Sequence, residues 1–164
     1  MTKDAKNGTT MVLGLGNLLL GDEGFGIHVV RRLKEVGLPS HVRIVEGGVS
    51  GFNLLGHLEG VERLVVVDVM MVESPPGKLH LFKQENKLKE PGKQILSFHQ
   101  VGVLDLIPMW RLLGYEPEVF FLVTRPEKLE WSTELSPPLQ SAVDKATQLI
   151  QRLCKDFQKR SKRL

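Results

Sequence analysis

The stretch Met11-Val12-Leu13-Gly14-Leu15-Gly16-Asn17-Leu18-Leu19-Leu20-Gly21-Asp22-Glu23-Gly24-Phe25-Gly26-Ile27 carries the strongest structural signal in the chain. An apolar run enters a glycine-rich turn, and Val29, Leu33 and Val36 follow at helical spacing. That order is a strand, a functional loop and a helix, with residues 9–15 as strand and 24–36 as helix. A glycine-rich turn that opens a helix usually receives an anion on its bare N–H groups. Here the turn supplies two carboxylates of its own, Asp22 and Glu23. A cation suits it better than a phosphate.

Outward from this stretch, strand and helix signals alternate. Gly37, Pro39 and Ser40 break the helix, and Val42-Arg43-Ile44-Val45 reads as a short strand. The turn Glu46-Gly47-Gly48-Val49-Ser50-Gly51 and a short helix through Leu54, Leu55 and Leu58 come next. Leu64-Val65-Val66-Val67 is apolar at every position up to Asp68, as a central strand buried on both faces should be. Pro75-Pro76-Gly77 turns into a strand over 78–83, and the charged residues 84–94, with Pro91-Gly92, read as an exposed loop. A helix over 102–113 contains Pro108 and should be kinked there. Residues 118–123 form a further strand, and Leu139, Val143, Ala146, Ile150 and Leu153 line one stripe of a last helix. Alternation of this kind predicts an α/β fold, a mostly parallel sheet with helices on both faces. One domain is expected over 1–154, followed by a basic tail over 155–164 that should fray.

Composition narrows the class. The 41% hydrophobic and 25% charged residues are those of a globular protein, and no stretch approaches the roughly 20 apolar residues of a membrane span. A polar N-terminus and a single cysteine, Cys154, which can form no internal disulfide, point to the cytoplasm. The net charge of +3 raises nucleic acid as a partner. Five basic residues and one acid lie from Lys155 onward, however, and without them the totals of 22 basic and 19 acidic residues become 17 and 18. The basicity belongs to the tail, so neither a nucleic acid nor a membrane is expected as partner.

In open sheets, ligands bind beyond the carboxyl ends of the strands. Three acid-bearing segments are expected there: the loop with Asp22 and Glu23, the segment Glu46-Gly47-Gly48, and Asp68 at the end of the apolar run. Of the five histidines, His28, His41, His57 and His80 fall within strand or helix patterns and read as structural or surface residues. His99 ends a loop just before a helix, with Gln100 beside it to fix its tautomer. Glu23, Asp68 and His99 together offer two oxygens and one nitrogen, a set that holds a borderline divalent metal and leaves coordination positions open. The two acids can equally share a proton as an aspartic-type dyad without metal. Asp22 is expected to cap the helix or to support Glu23. A dinucleotide fingerprint fits worse, because Leu19 stands where a small residue is needed and the acids would repel pyrophosphate. No nucleophile elbow occurs, since Phe52 replaces the final glycine after Gly48-Val49-Ser50-Gly51.

The order Gly14-Leu15-Gly16-Asn17, Asp22-Glu23-Gly24-Phe25-Gly26, Gly47-Gly48, an apolar strand ending in Asp68, then His99-Gln100 resembles the [NiFe]-hydrogenase maturation endopeptidases. The resemblance runs from about Met11 to Leu153. It implies a three-layer fold with a five-stranded twisted sheet. It also implies removal of a short C-terminal peptide from the nickel-loaded hydrogenase large-subunit precursor, which is then the partner; a monomer is expected. Carried over, Glu23, Asp68 and His99 are the metal-contacting residues, with Glu23 and Asp68 catalytic, and the segment with Gly47 and Gly48 recognises substrate. Nickel is then presented by the precursor rather than stored. A non-catalytic chaperone that captures nickel or the large subunit is the alternative.

Overall fold

The computed structural model describes residues 9–48, 56–84 and 107–161. They build a five-stranded sheet in the order β2-β1-β3-β5-β4. The strands are β1 (Thr9–Leu15), β2 (Val42–Gly48), β3 (Val61–Val69), β4 (Leu79–Lys83) and β5 (Glu118–Thr124). β2, β1, β3 and β5 run parallel, and the edge strand β4 is antiparallel to β5, which makes the sheet mostly parallel as expected.

The central strands β1 and β3 are apolar throughout because both of their faces are covered. Val12, Val65 and Val67 face one core layer together with Phe25, Val29 and Leu33 of α1 (Phe25–Val36). Leu139, Ala142, Ala146, Ile150 and Cys154 of α3 (Pro137–Ser161) complete that layer. Met11, Leu13, Leu64 and Val66 face the opposite layer with Leu58 and with Trp110 of α2, helical over 107–112. Helices therefore cover both faces. Pro108 lies near the start of the described part of α2, and the upstream part of the expected 102–113 helix falls outside the described residues.

Two expectations change. Glu46, Gly47 and Gly48 are the last residues of β2 rather than a turn. Gly14 pairs with Glu46 and Leu15 with Gly48, so Gly47 is the extra residue of a bulge, and Gly48 takes a φ of 56°. Second, α3 runs through Ser161 and buries Phe157, so the boundary expected after Cys154 falls inside a helix. The ring of Phe157 lies under the Arg63 guanidinium, 5.0 Å from its centroid.

This strand order creates the crevice. β1 leads through α1 to β2 on one side, whereas β3 leads towards β5 on the other. Between the carboxyl ends of β1 and β3 the connections diverge, and in open sheets ligands bind at such a switch point.

Candidate active site

The two strands flanking the switch point end at the acids singled out from the sequence. β1 ends at Leu15, and after a short loop the chain forms a single 3-10 turn, Gly21–Gly24, that contains Asp22 and Glu23. This turn packs against β3. Asp68 is the penultimate residue of β3 and is wholly buried.

Glycines make the approach close. A Cβ at Gly26, in the first turn of α1, would overlap the carbonyl oxygens of Val67 and Leu15. One at Gly14 would overlap the carbonyl oxygen of Gly26. The start of α1 thus rests directly on the backbone of β1 and β3, one residue before Asp68. Gly16, at a φ of 140°, similarly lies against the carbonyl of Glu23, which accepts the Asn17 N–H at 3.2 Å. The glycine pattern read from the sequence is a set of backbone contacts that seats Glu23 at the crevice.

The three carboxylates here differ sharply. Asp68 Oδ1 accepts the N–H of Val69 at 2.8 Å. Burial of a carboxylate is costly unless hydrogen bonds, a cation or a metal offset it. Glu23 is partly exposed, and no hydrogen bond or ion pair reaches its carboxylate among the described residues. Its charge is available to a ligand. Asp22 is wholly buried and fully engaged: Oδ1 accepts the Ser136 N–H at 2.7 Å, and Oδ2 accepts the N–H groups of Glu127 and Lys128 and the Ser136 hydroxyl, each at 2.8 Å. Asp22 does not cap α1, whose N-cap Gly24 makes no side-chain bond. It binds the residue just before α3 instead, where a helix N-terminus favours negative charge. Its partners lie 105 to 114 residues away in sequence, and no local signal could have revealed them.

Gly47 and Gly48 stand at the end of β2, the other edge strand, across from Gly16, whose N–H donates to the Gly48 carbonyl at 3.1 Å. A cleft of about 340 Å³ opens there, lined by Gly16, Asn17, Leu18, Ile27, Glu46 and Gly48. At its lip Glu46 pairs with Arg31 at 3.2 Å and with Lys34 at 3.3 Å. The Arg31 contact, followed by Lys34 and opposed by partial burial, holds the Glu46 carboxyl below its usual range. The cleft adjoins the loop that leads to Glu23, and its walls include neither Glu23 nor Asp68.

His99 and Gln100 lie outside the described residues, as do Val49, Ser50 and Gly51. Among the described residues no group of three or more His, Cys, Asp or Glu side chains could hold a metal ion. His28 is partly buried on α1 and Cys154 is buried against the sheet, in keeping with structural roles for both. Among the described residues no helix is long and apolar enough to cross a membrane.

Comparison with known proteins identifies what this arrangement is similar to. Residues 27–153 match the family model of the hydrogenase maturation proteases. The hydrogenase expression/formation protein HupD of Bradyrhizobium diazoefficiens is 32% identical over 92% of this chain and 82% of its own. The solved hydrogenase maturating endopeptidase HybD of Escherichia coli superposes with a TM-score of 0.77 at 28% identity, covering 90% of this chain and 93% of that one. The [NiFe] hydrogenase maturation protease HybD of Thermococcus kodakarensis gives 0.77 at 27% identity, over 89% and 99%.

Proposed function

This chain belongs to the hydrogenase maturation protease family, and on that premise we propose that it removes a C-terminal peptide from a nickel-loaded [NiFe]-hydrogenase large-subunit precursor. The observation that carries this reading is the switch point itself. There backbone contacts seat Glu23, whose carboxylate has no partner among the described residues, next to the strand end that bears Asp68.

The nickel is part of the substrate. Glu23, Asp68 and His99 offer it two hard oxygens and an imidazole nitrogen, a donor set that suits Ni²⁺. A precursor without nickel lacks the contact that places its peptide, so the site checks loading before cleavage. Hydrolysis requires water to add to the scissile carbonyl and a proton to pass to the leaving amine. Nickel brought by the precursor and held by Glu23, Asp68 and His99 would supply Lewis-acid polarisation of that carbonyl. Glu23, whose carboxylate has no partner among the described residues, accepts the proton of the attacking water and returns it to the amine. The bulged end of β2, with Gly47 and Gly48 and the cleft beside them, receives the peptide backbone. Nothing lies within 4 Å of a Cβ position at Gly48, which admits a close main-chain approach there, whereas a Cβ at Gly47 would meet the side chains of Leu13 and Leu15.

The test is to incubate nickel-loaded precursor with the wild-type protein and with Glu23→Gln, Asp68→Asn and His99→Ala, and to follow precursor mass. Loss of the peptide mass with the wild type, and its retention with the variants, is expected. Full cleavage by all three folded variants would remove the proposed site. Precursor binding by the wild type without any mass loss would make the protein a chaperone.

A further inference from the structure

The turn that presents Glu23 is closed locally by backbone bonds, Glu23 N–H to the Leu20 carbonyl at 3.1 Å and Asn17 N–H to the Glu23 carbonyl at 3.2 Å. Its N-cap, Leu20, makes no side-chain capping bond. Lateral support comes from the strap between β5 and α3, residues 125–136. Gly21 N–H donates to the Ser132 carbonyl at 2.7 Å, Ser132 N–H to that of Leu19 at 3.0 Å, and Asp22 N–H to that of Lys128 at 3.1 Å. Gly21 takes a φ of 54°, and a Cβ there would stand 3.1 Å from the Lys128 carbonyl oxygen and 3.3 Å from that of Glu130. The Asp22 carboxylate closes this lacing with four further bonds to Glu127, Lys128 and Ser136.

We propose that Asp22 is the positioning residue of the proteolytic site: by clamping the strap and the start of α3 to the 3-10 turn, it fixes the direction in which Glu23 presents its carboxylate. The inference rests on the assignment of Glu23 to catalysis. The side chains of neighbouring residues in a tight turn are set by the same backbone torsions. Those torsions fix where Glu23 is attached and the direction of its Cα–Cβ bond, and among the described residues no hydrogen bond or ion pair reaches its carboxylate. A fixed point of attachment limits where that carboxylate can reach, as positioning of a water or a metal demands.

Asp22→Asn tests this with almost no change of volume. All four partners of the carboxylate are donors. Whichever way the amide is turned, its NH₂ group faces at least one N–H and the clamp opens. The experiment measures kcat and KM for cleavage of nickel-loaded precursor, at a temperature where circular dichroism shows each variant folded. Ile150→Val, in the α3 core away from the site, controls for lost stability. The expected result is a fall in kcat of about 10²-fold, as misplacement near 1 Å produces, with KM little changed and Ile150→Val at the wild-type kcat. An unchanged kcat in folded Asp22→Asn would overturn the proposal and leave Asp22 a fold element. If Asp22→Asn does not fold, Ser136→Ala decides. It removes one of the four donors, and a kcat reduced by roughly threefold or more supports the clamp, whereas an unchanged kcat overturns it. Absence of cleavage by the wild type would instead remove the proteolytic reading on which the clamp depends.

Discussion

Gly26→Ala should damage the protein more than any alanine placed at an exposed glycine. The added Cβ would stand 2.8 Å from Leu15 N, and nearer still to the carbonyl oxygens of Leu15 and Val67. All of these are backbone atoms of the central strands β1 and β3. No side chain can rotate away, so α1 must retreat by about 1 Å to reach ordinary contact. Overpacking of this kind costs about 3 kcal/mol at the upper end of its range. The better helix propensity of alanine offsets about 1 kcal/mol of that. The net loss of about 2 kcal/mol should lower the urea midpoint by about 1 M, given an m-value near 2 kcal/mol/M. Gly56→Ala is the control, because nothing lies within 4 Å of a Cβ there; its change should stay within about 0.5 kcal/mol. Far-UV circular dichroism in urea reads both. A midpoint for Gly26→Ala at or above that of the wild type would refute the close seating of α1 on β1 and β3. The account of how Glu23 is held would fall with it.

The remaining predictions concern protonation and reactivity. Burial, followed by the Arg31 guanidinium, holds the His28 imidazole below its ordinary value of 6.5, against a hydrogen bond to the Thr133 backbone. Below 6.5 the unfolded chain therefore binds the proton more readily, and the stability His28 contributes above that value is lost as pH falls through the folded one. Melting curves between pH 7.5 and 5.5 should show a smaller drop for His28→Gln than for the wild type, and parallel curves would contradict the assignment. Burial pushes the Cys154 thiol up to about 11. A thiol reagent at pH 8 should therefore leave the native protein unmodified and label one site in denaturant; rapid labelling of native protein would place Cys154 at the surface.

Much of this architecture was legible in the residues. The run Leu64–Asp68 reads as a central strand, since four consecutive apolar positions up to a terminal acid leave no face for solvent. Its position next to β1 then brought Asp68 to the same edge as Glu23. Other features were not legible, for physical reasons. Glu46-Gly47-Gly48 has the composition of a turn, yet pairing with Gly14 and Leu15 keeps it in the sheet as a bulge. The antiparallel direction of β4 leaves no mark on its short alternating segment. Lys155, Lys159 and Arg160 suggested a solvated tail, whereas Phe157 continues the buried stripe of α3 three residues beyond Cys154. Asp22 was expected to serve its own helix. Its carboxylate reaches Ser136 instead, a contact made by the tertiary fold and invisible to spacing. His99 was singled out by its place between loop and helix and lies outside the described residues.

The central claim is that Glu23, Asp68 and His99 sense a metal carried by another protein. Its most direct test is the mass of the large-subunit precursor before and after incubation with this protein, prepared once with nickel and once without. The account predicts loss of a C-terminal peptide from the nickel-loaded precursor alone. Equal cleavage of both preparations would contradict it.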